Sequence, residues 1–291
     1  MSIEALHKLE AVVAELTSPG QPFELEDVEV RGVHYRHYKK QPASLAKYFA
    51  VMARHDSKEF VVCQSERYSY GEAYQQASQF ASVLLHDYGV KPGDRVAIAM
   101  RNSPQWMFAF LAAASIGAIV VPMNAWWTGE ELEYGLADCG ATVVLVDPQR
   151  AGRMQTFAHR LQLQLVGVGD FSGLSVKVED FATASQRHSG ATMPAIEIAP
   201  DADATIMYTS GSTGHPKGAV ATHRSIIAAM YSWLLLGNAS NVAAEPSSKD
   251  AADAKFRPCA LMTVPLFHAT GSHSLFMLSV IIGRKIVMMH K

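Results

Sequence analysis

The chain has 291 residues, 49% of them hydrophobic and 18% charged, a globular composition sufficient for one large domain or two lobes. Its 25 basic and 27 acidic residues leave a formal charge of −2, so no overall field favours a nucleic acid partner. Three widely spaced cysteines, Cys63, Cys139 and Cys259, supply neither a disulfide framework nor a CxxC metal site, which points to a reducing compartment and a cytoplasmic location.

Residues 1–10 hold no signal-peptide core. Ile3, Leu6, Leu9, Val13 and Leu16 recur at helical spacing until Pro19-Gly20 ends the pattern. Phe23 to Val33 alternates apolar and acidic residues as an exposed strand does. The basic residues Arg31, His34, Arg36, His37, Lys39 and Lys40 read as a solvated strand-and-turn face rather than a phosphate or lipid patch. Ser44 is a cap for a helix through Ala53.

A repeating alternation then begins. Tyr68-Ser69-Tyr70 starts a helix that ends near Tyr88-Gly89, and Pro92-Gly93-Asp94 turns into a strand, Arg95–Met100. Pro104 opens the next helix, which leads through Gly117 into strand Ala118–Pro122. The run Trp106–Met123 carries no charge. Gly117 and Pro122 divide it, so a buried helix followed by a buried strand fits better than a membrane span. A helix over Gly129–Ala137 ends at Cys139-Gly140 and meets strand Thr142–Val146. Such alternation predicts a mostly parallel sheet covered on both faces.

Farther on, Leu163–Gly169 reads as a strand and Val176–Pro200 as a polar connection. Strand Ala204–Tyr208 enters a glycine-rich loop that precedes a helix from about Ser225 to Leu236. Residues 238–257 are poor in apolar side chains and read as a loop. Strand Cys259–Val264, a helix near Ser272–Ile282 and strand Lys285–Met289 complete the chain.

Tyr208-Thr209-Ser210-Gly211-Ser212-Thr213-Gly214-His215-Pro216-Lys217-Gly218 carries four aliphatic hydroxyls, three glycines and a lysine. Glycines let backbone N–H groups approach a ligand, hydroxyls add neutral donors and Lys217 adds a mobile positive charge, a set suited to a polyphosphate. A surface turn is the plain alternative. The Walker pattern GxxxxGK[ST] fails, because Pro216 stands where glycine is needed and Gly218 where the hydroxyl is. Gly167-Val168-Gly169 with Gly173 misses the dinucleotide fingerprint by one residue.

The segment YTSGSTGHPKG resembles the phosphate-loop signature of the adenylate-forming superfamily, which includes acyl-CoA synthetases and aryl-CoA ligases. Gly93-Asp94-Arg95-Val96, Gly117 to Asn124, and Pro265-Leu266-Phe267-His268 with Gly271 resemble the same family, and the likeness runs from about Ser44 onward. It implies an α/β fold with two lobes of parallel-rich sheet flanked by helices, and a division into an extension (1–43) and a large-domain portion (44–291) with lobes near 44–160 and 161–291.

The resemblance also implies chemistry. A carboxylate attacks the α-phosphorus of ATP to give an acyl-adenylate and pyrophosphate, and the thiol of coenzyme A then displaces AMP. Thr209, Ser210, Gly211, Ser212, Thr213, Gly214 and Lys217 take the phosphate role, with Lys217 catalytic and Ser212 the hydroxyl near Mg. Amino-acid-activating relatives carry Asp where His268 stands, so the acid here has no amino group. His268 is, with Lys217, the other residue given a catalytic role; His268 and Gly271 face that acid, and a packed core histidine is the plain alternative. Asn124-Ala125-Trp126-Trp127 resembles members classed as fatty-acid–CoA ligases, with the two tryptophans as packing residues. Aryl-acid and carrier-protein acyl ligases remain alternatives, as does a non-catalytic binding or assembly module. The family's adenine and ribose contacts and its small mobile domain with a catalytic lysine are expected beyond Lys291. Without them the 291 residues are expected to be inactive, to bind ATP feebly and to self-associate.

Overall fold

In the computed structural model, residues 3–209, 215–243 and 259–289 are described. Helix α1 (Ile3–Leu16) buries none of its residues fully. The strand expected over Phe23–Val33 is instead a hairpin, β1 (Leu25–Val30) and β2 (Val33–Tyr38), turning at Arg31 and Gly32. Both turn residues have positive φ, 51° and 79°, the twist-matched geometry of a two-residue hairpin loop. Across the hairpin Arg36 faces Asp27 and His34 faces Glu29, and Lys39 pairs with Glu24 at 2.8 Å. The basic run is thus offset by acidic neighbours on a solvated ribbon.

Helix α2 (Leu45–Phe49) starts at Ser44, whose hydroxyl accepts from Lys47 N–H, and continues as a 3-10 turn, Ala50–Arg54. Two strands that the hydropathy pattern had not revealed follow, β3 (Glu59–Cys63) and β4 (Glu66–Ser69). Four of the five β3 residues are buried, and a strand covered on both faces shows no alternation to read. Ser69 and Glu72 form a capping box for α3 (Tyr70–Ser82), which unwinds through a π turn, Val83–Asp87. The expected alternation then appears as β5 (Arg95–Ala99), α4 (Pro104–Ser115), β6 (Ile119–Pro122), α5 (Gly129–Cys139), β7 (Val143–Val146), α6 (Pro148–Met154) and β8 (Gln164–Gly167).

The stretch read as a polar connection contains β9 (Val178–Asp180) and α7 (Phe181–Gln186), elements too short to display a period. Strand β10 (Asp203–Thr209) is followed by a further unforeseen strand, β11 (Lys217–Thr222), and only then by α8 (His223–Ala243). The glycine-rich segment therefore joins the two strands of a hairpin rather than a strand to a helix. Helix α8 also overruns its expected end: the Asn238 side chain donates to the Leu234 carbonyl one turn back and Ala239 is buried, so part of the expected loop is helical. Strand β12 (Cys259–Met262), a π-helical stretch Thr270–Met277, α9 (Leu278–Ile282) and β13 (Lys285–Met288) follow.

One sheet runs β11-β10-β6-β5-β7-β8-β9, parallel throughout except for the antiparallel β10–β11 pair. A second runs β12-β13-β3-β4, parallel except for β3–β4. Neither follows the expected division near residue 160, because β3 pairs with β13 and β6 with β10. Helix α4 is buried at every position but Gln105 and packs against β5, β6 and β3, so it fills the space between the sheets. Val96 and Ile98 of β5 face that core, whereas Ala97 and Ala99 face α5 and α6, the two-residue alternation of a strand covered on both sides. Among the described residues, α8 is the one helix long and apolar enough to cross a membrane by length and composition. Here its Ile226, Ile227, Met230 and Leu235 are buried, the last against Phe23 and Tyr38.

Candidate functional site

Thr209 closes β10, and β10 runs parallel to β6, so Thr209 stands at the carboxyl end of a parallel sheet. That end is where loops of open α/β sheets receive ligands. Across the hairpin Thr209 is the register partner of Lys217, and its hydroxyl donates to the Lys217 carbonyl at 3.4 Å. Both residues are exposed. Beneath them Tyr208 donates its hydroxyl to the Asp138 carboxylate and to the Gly135 carbonyl of α5. Burial, reinforced by the Asp138 carboxylate, pushes the Tyr208 phenol far above its usual range, so it stays a neutral donor. Tyr134 of the same helix donates to the Pro216 carbonyl at 3.3 Å and stacks on His215. Gly218 is required by packing: a Cβ there would lie 2.6 Å from the Ile206 side chain.

The second group lies beyond β12. Asn102, just past β5, donates to the Val264 carbonyl at 2.9 Å and accepts from Leu266 N–H at 2.7 Å. One amide thus ties the carboxyl end of the larger sheet to the segment carrying Phe267 and His268. His268 is exposed and its Nδ1 accepts the Thr270 N–H at 3.2 Å, so in the neutral ring the proton sits on Nε2. Gly271 is buried, and a Cβ on it would stand 2.1 Å from the Pro265 carbonyl oxygen. Its backbone crosses that of Pro265 where no side chain fits.

The segment after β6 joins the two groups. Trp127 packs edge-on against Tyr208 with centroids 5.5 Å apart, and Trp126 does the same against Phe267 at 5.2 Å. Neighbouring residues thus touch the hairpin on one side and the His268 segment on the other. Trp126 is nonetheless 66% exposed. Two arginines of α6 and its end hold this segment. Arg150, 1% exposed, donates Nε to the Ala125 carbonyl at 2.7 Å and pairs with Asp147 at 2.8 Å. Arg153 donates to the carbonyls of Ala125 and Trp127.

A model of the family described as AMP-binding enzyme matches residues 48–291. The chain belongs to the AMP-binding enzyme family. It is 35% identical over 203 residues to a long-chain-fatty-acid–CoA ligase, FadD13, of Mycobacterium tuberculosis, covering 69% of this chain and 36% of that ligase. It is 31% identical over 231 residues to 4-coumarate–CoA ligase 3 of Oryza sativa subsp. japonica, covering 78% and 38%. The chain therefore spans rather more than a third of the length of these relatives. Among solved structures, the N-terminal domain of FACL13 from Mycobacterium tuberculosis superposes with a TM-score of 0.67 at 25% identity, over 84% of this chain and 57% of that one. An anthranilate–CoA ligase bound to anthranoyl-AMP shares the fold, with a TM-score of 0.71 at 19% identity, over 85% and 45%.

Of the site residues expected from the sequence, Thr209 and Lys217 are brought together, and His268 and Gly271 lie in the second group. Ser210, Gly211, Ser212, Thr213 and Gly214 lie outside the described residues, and with them the expected Mg contact of Ser212. Among the described residues no cluster of three or more His, Cys, Asp or Glu side chains is placed to hold a metal. Sequence reasoning missed Asn102, Tyr134, Asp138, Arg150 and Arg153, which position the site. For Tyr134 and Asp138 a signal existed: four residues apart on one helix, they share a face. For Asn102 there was none, since its partners lie more than 160 residues away.

Proposed function

We propose that this member of the AMP-binding family serves an ATP-dependent acid–thiol ligation, with a fatty acid as the acid and coenzyme A as the thiol. The observation that carries the reading is the Thr209/Lys217 pair at the carboxyl end of β10, opening a segment that matches the family's phosphate signature. The hairpin holds the β- and γ-phosphates of ATP, with Mg entering as part of the nucleotide substrate. A carboxylate oxygen of the acid attacks the α-phosphorus, the bond to pyrophosphate breaks, and the Lys217 ammonium with the loop donors meets the charge that develops on the leaving group. The thiol sulfur of coenzyme A then bonds to the acyl carbon and AMP departs. His268, with Nε2–H available on an exposed ring, lies by the acid, and Gly271 lets the chain turn beneath it.

An aryl acid is the second reading. It is favoured by the aromatic edge that Trp126 and Phe267 present beside His268 and by the similarity to a 4-coumarate ligase. The choice is tested by supplying the complete gene product with MgATP, coenzyme A and a series of acids, and quantifying thioesters by mass spectrometry. Long-chain acyl-CoA formed in preference to coumaroyl- or benzoyl-CoA is expected; the opposite order selects the aryl reading. No thioester with any acid removes both and leaves a binding module.

A further inference from the structure

Tyr134 and Asp138 leave one face of α5 a helical turn apart, and each takes a different leg of the β10–β11 hairpin. Asp138 receives the Tyr208 hydroxyl on the outgoing leg. Tyr134 takes the returning leg twice: its hydroxyl donates to the Pro216 carbonyl at 3.3 Å, and its ring stacks on His215 with centroids 4.6 Å apart and planes 23° from parallel. Lys217 is the next residue. Among the described residues strand β11 is the edge of its sheet, with β10 its one neighbour, and Lys217 through Val220 are exposed. At its first residue the ladder is reinforced by the long 3.4 Å contact from the Thr209 hydroxyl. Helix α8 packs on the body of β11, whereas the leg just before Lys217 is held by Tyr134 of α5.

We infer that Tyr134 is a positioning residue that fixes the returning leg of the hairpin and, through it, the origin of the Lys217 side chain. The inference rests on the phosphate-binding reading of the hairpin. A lysine ammonium travels on a flexible four-carbon stem, so its placement against a developing charge depends on how firmly its backbone is held. Such a loss falls on the transition state more than on substrate binding, and so on kcat more than on KM.

Two variants separate the contacts: Tyr134→Phe keeps the ring stack and deletes the hydroxyl, and Tyr134→Leu deletes both. Hydrogen–deuterium exchange on the 291-residue chain should show amides of residues 217–222 exchanging about two- to tenfold faster in Tyr134→Leu, the range of one modest hydrogen bond. Tyr134→Phe should fall between, with the unfolding midpoint and the α5 amides unchanged. Identical rates in wild type and both variants overturn the inference. Should Tyr134→Leu unfold, Tyr134→Phe decides by the same readout. In ATP–pyrophosphate exchange by the complete gene product, Tyr134→Leu should lower kcat about ten- to a hundredfold with little change in KM for ATP, and Tyr134→Phe should recover most of it. A loss confined to KM contradicts positioning. If Lys217→Ala matches wild type in that assay, the phosphate reading fails, while the deuterium result still decides whether Tyr134 anchors the strand.

Discussion

His223 and His273 are buried histidines whose environments disfavour charge. His223 Nδ1 accepts the Leu45 N–H at 3.1 Å, and its buried Nε2 has no hydrogen-bond partner among the described residues. His273 Nδ1 meets the Ser272 hydroxyl at 2.9 Å. Burial pushes both rings down to about 4, against roughly 6.5 for an exposed histidine. The unfolded chain therefore takes up protons first as the pH falls. Their full contribution to stability is present above about pH 6.5, declines below it, and stops changing near pH 4 where the folded rings protonate as well. Each ring is worth at most about 3 kcal/mol across that window. Urea unfolding followed from pH 7.5 to 4.5 should show a falling midpoint, and His223→Gln, which keeps an acceptor for Leu45, should flatten the decline. A wild-type midpoint level across this range contradicts the account.

Among the elements, the segments between strands carry the site, and their fixation can be tested. The Pro265–Gly271 crossing leaves no space for a Cβ at Gly271, where the carbonyl of Pro265 would be 2.1 Å away. Gly271→Ala should cost about 1–3 kcal/mol of stability, the usual range for overpacking, read as a lowered denaturation midpoint. Unchanged stability would mean that this crossing relaxes freely. Arg150 is a buried charge with its partners in place, and removing it takes the guanidinium from the Asp147 carboxylate and leaves Arg153 as the remaining side-chain donor to the Ala125 carbonyl. Arg150→Met should therefore lose about 3 kcal/mol or more in the same measurement, whereas a neutral result would deny the clamp on Asn124–Trp127. These devices explain what the sequence could display. Caps such as Ser44, Ser69 and Thr128 are local and legible. The helix near Ser272–Ile282 was legible though its π geometry over Thr270–Met277 was not, and the short β9 and α7 have no periodic signature. Strand β11 was hidden because its residues are mostly exposed and small, so glycine and alanine suggested loop where an edge strand lies.

At the scale of the molecule, the two larger sheets are closed by pairings between distant parts of the chain, β3 with β13 and β6 with β10. Alternating helix and strand made a parallel α/β architecture readable, but strand order depends on packing between segments that no local pattern records. For the same reason the candidate site was legible as a signature in one segment and not as a place. Only the folded chain shows Asn102 holding Val264 and Leu266, and Trp126 and Trp127 bridging Phe267 and Tyr208. In the proposed function, the hairpin bearing Thr209 and Lys217 meets the phosphates of ATP during adenylation. That contact is tested most directly by acid-dependent ATP–pyrophosphate exchange in the complete gene product, wild type against Lys217→Ala. Because Lys217 is exposed, about a hundredfold loss of exchange is expected with an unchanged thermal midpoint; exchange at the wild-type rate, or a loss explained by unfolding, would rule out a phosphate role for the hairpin.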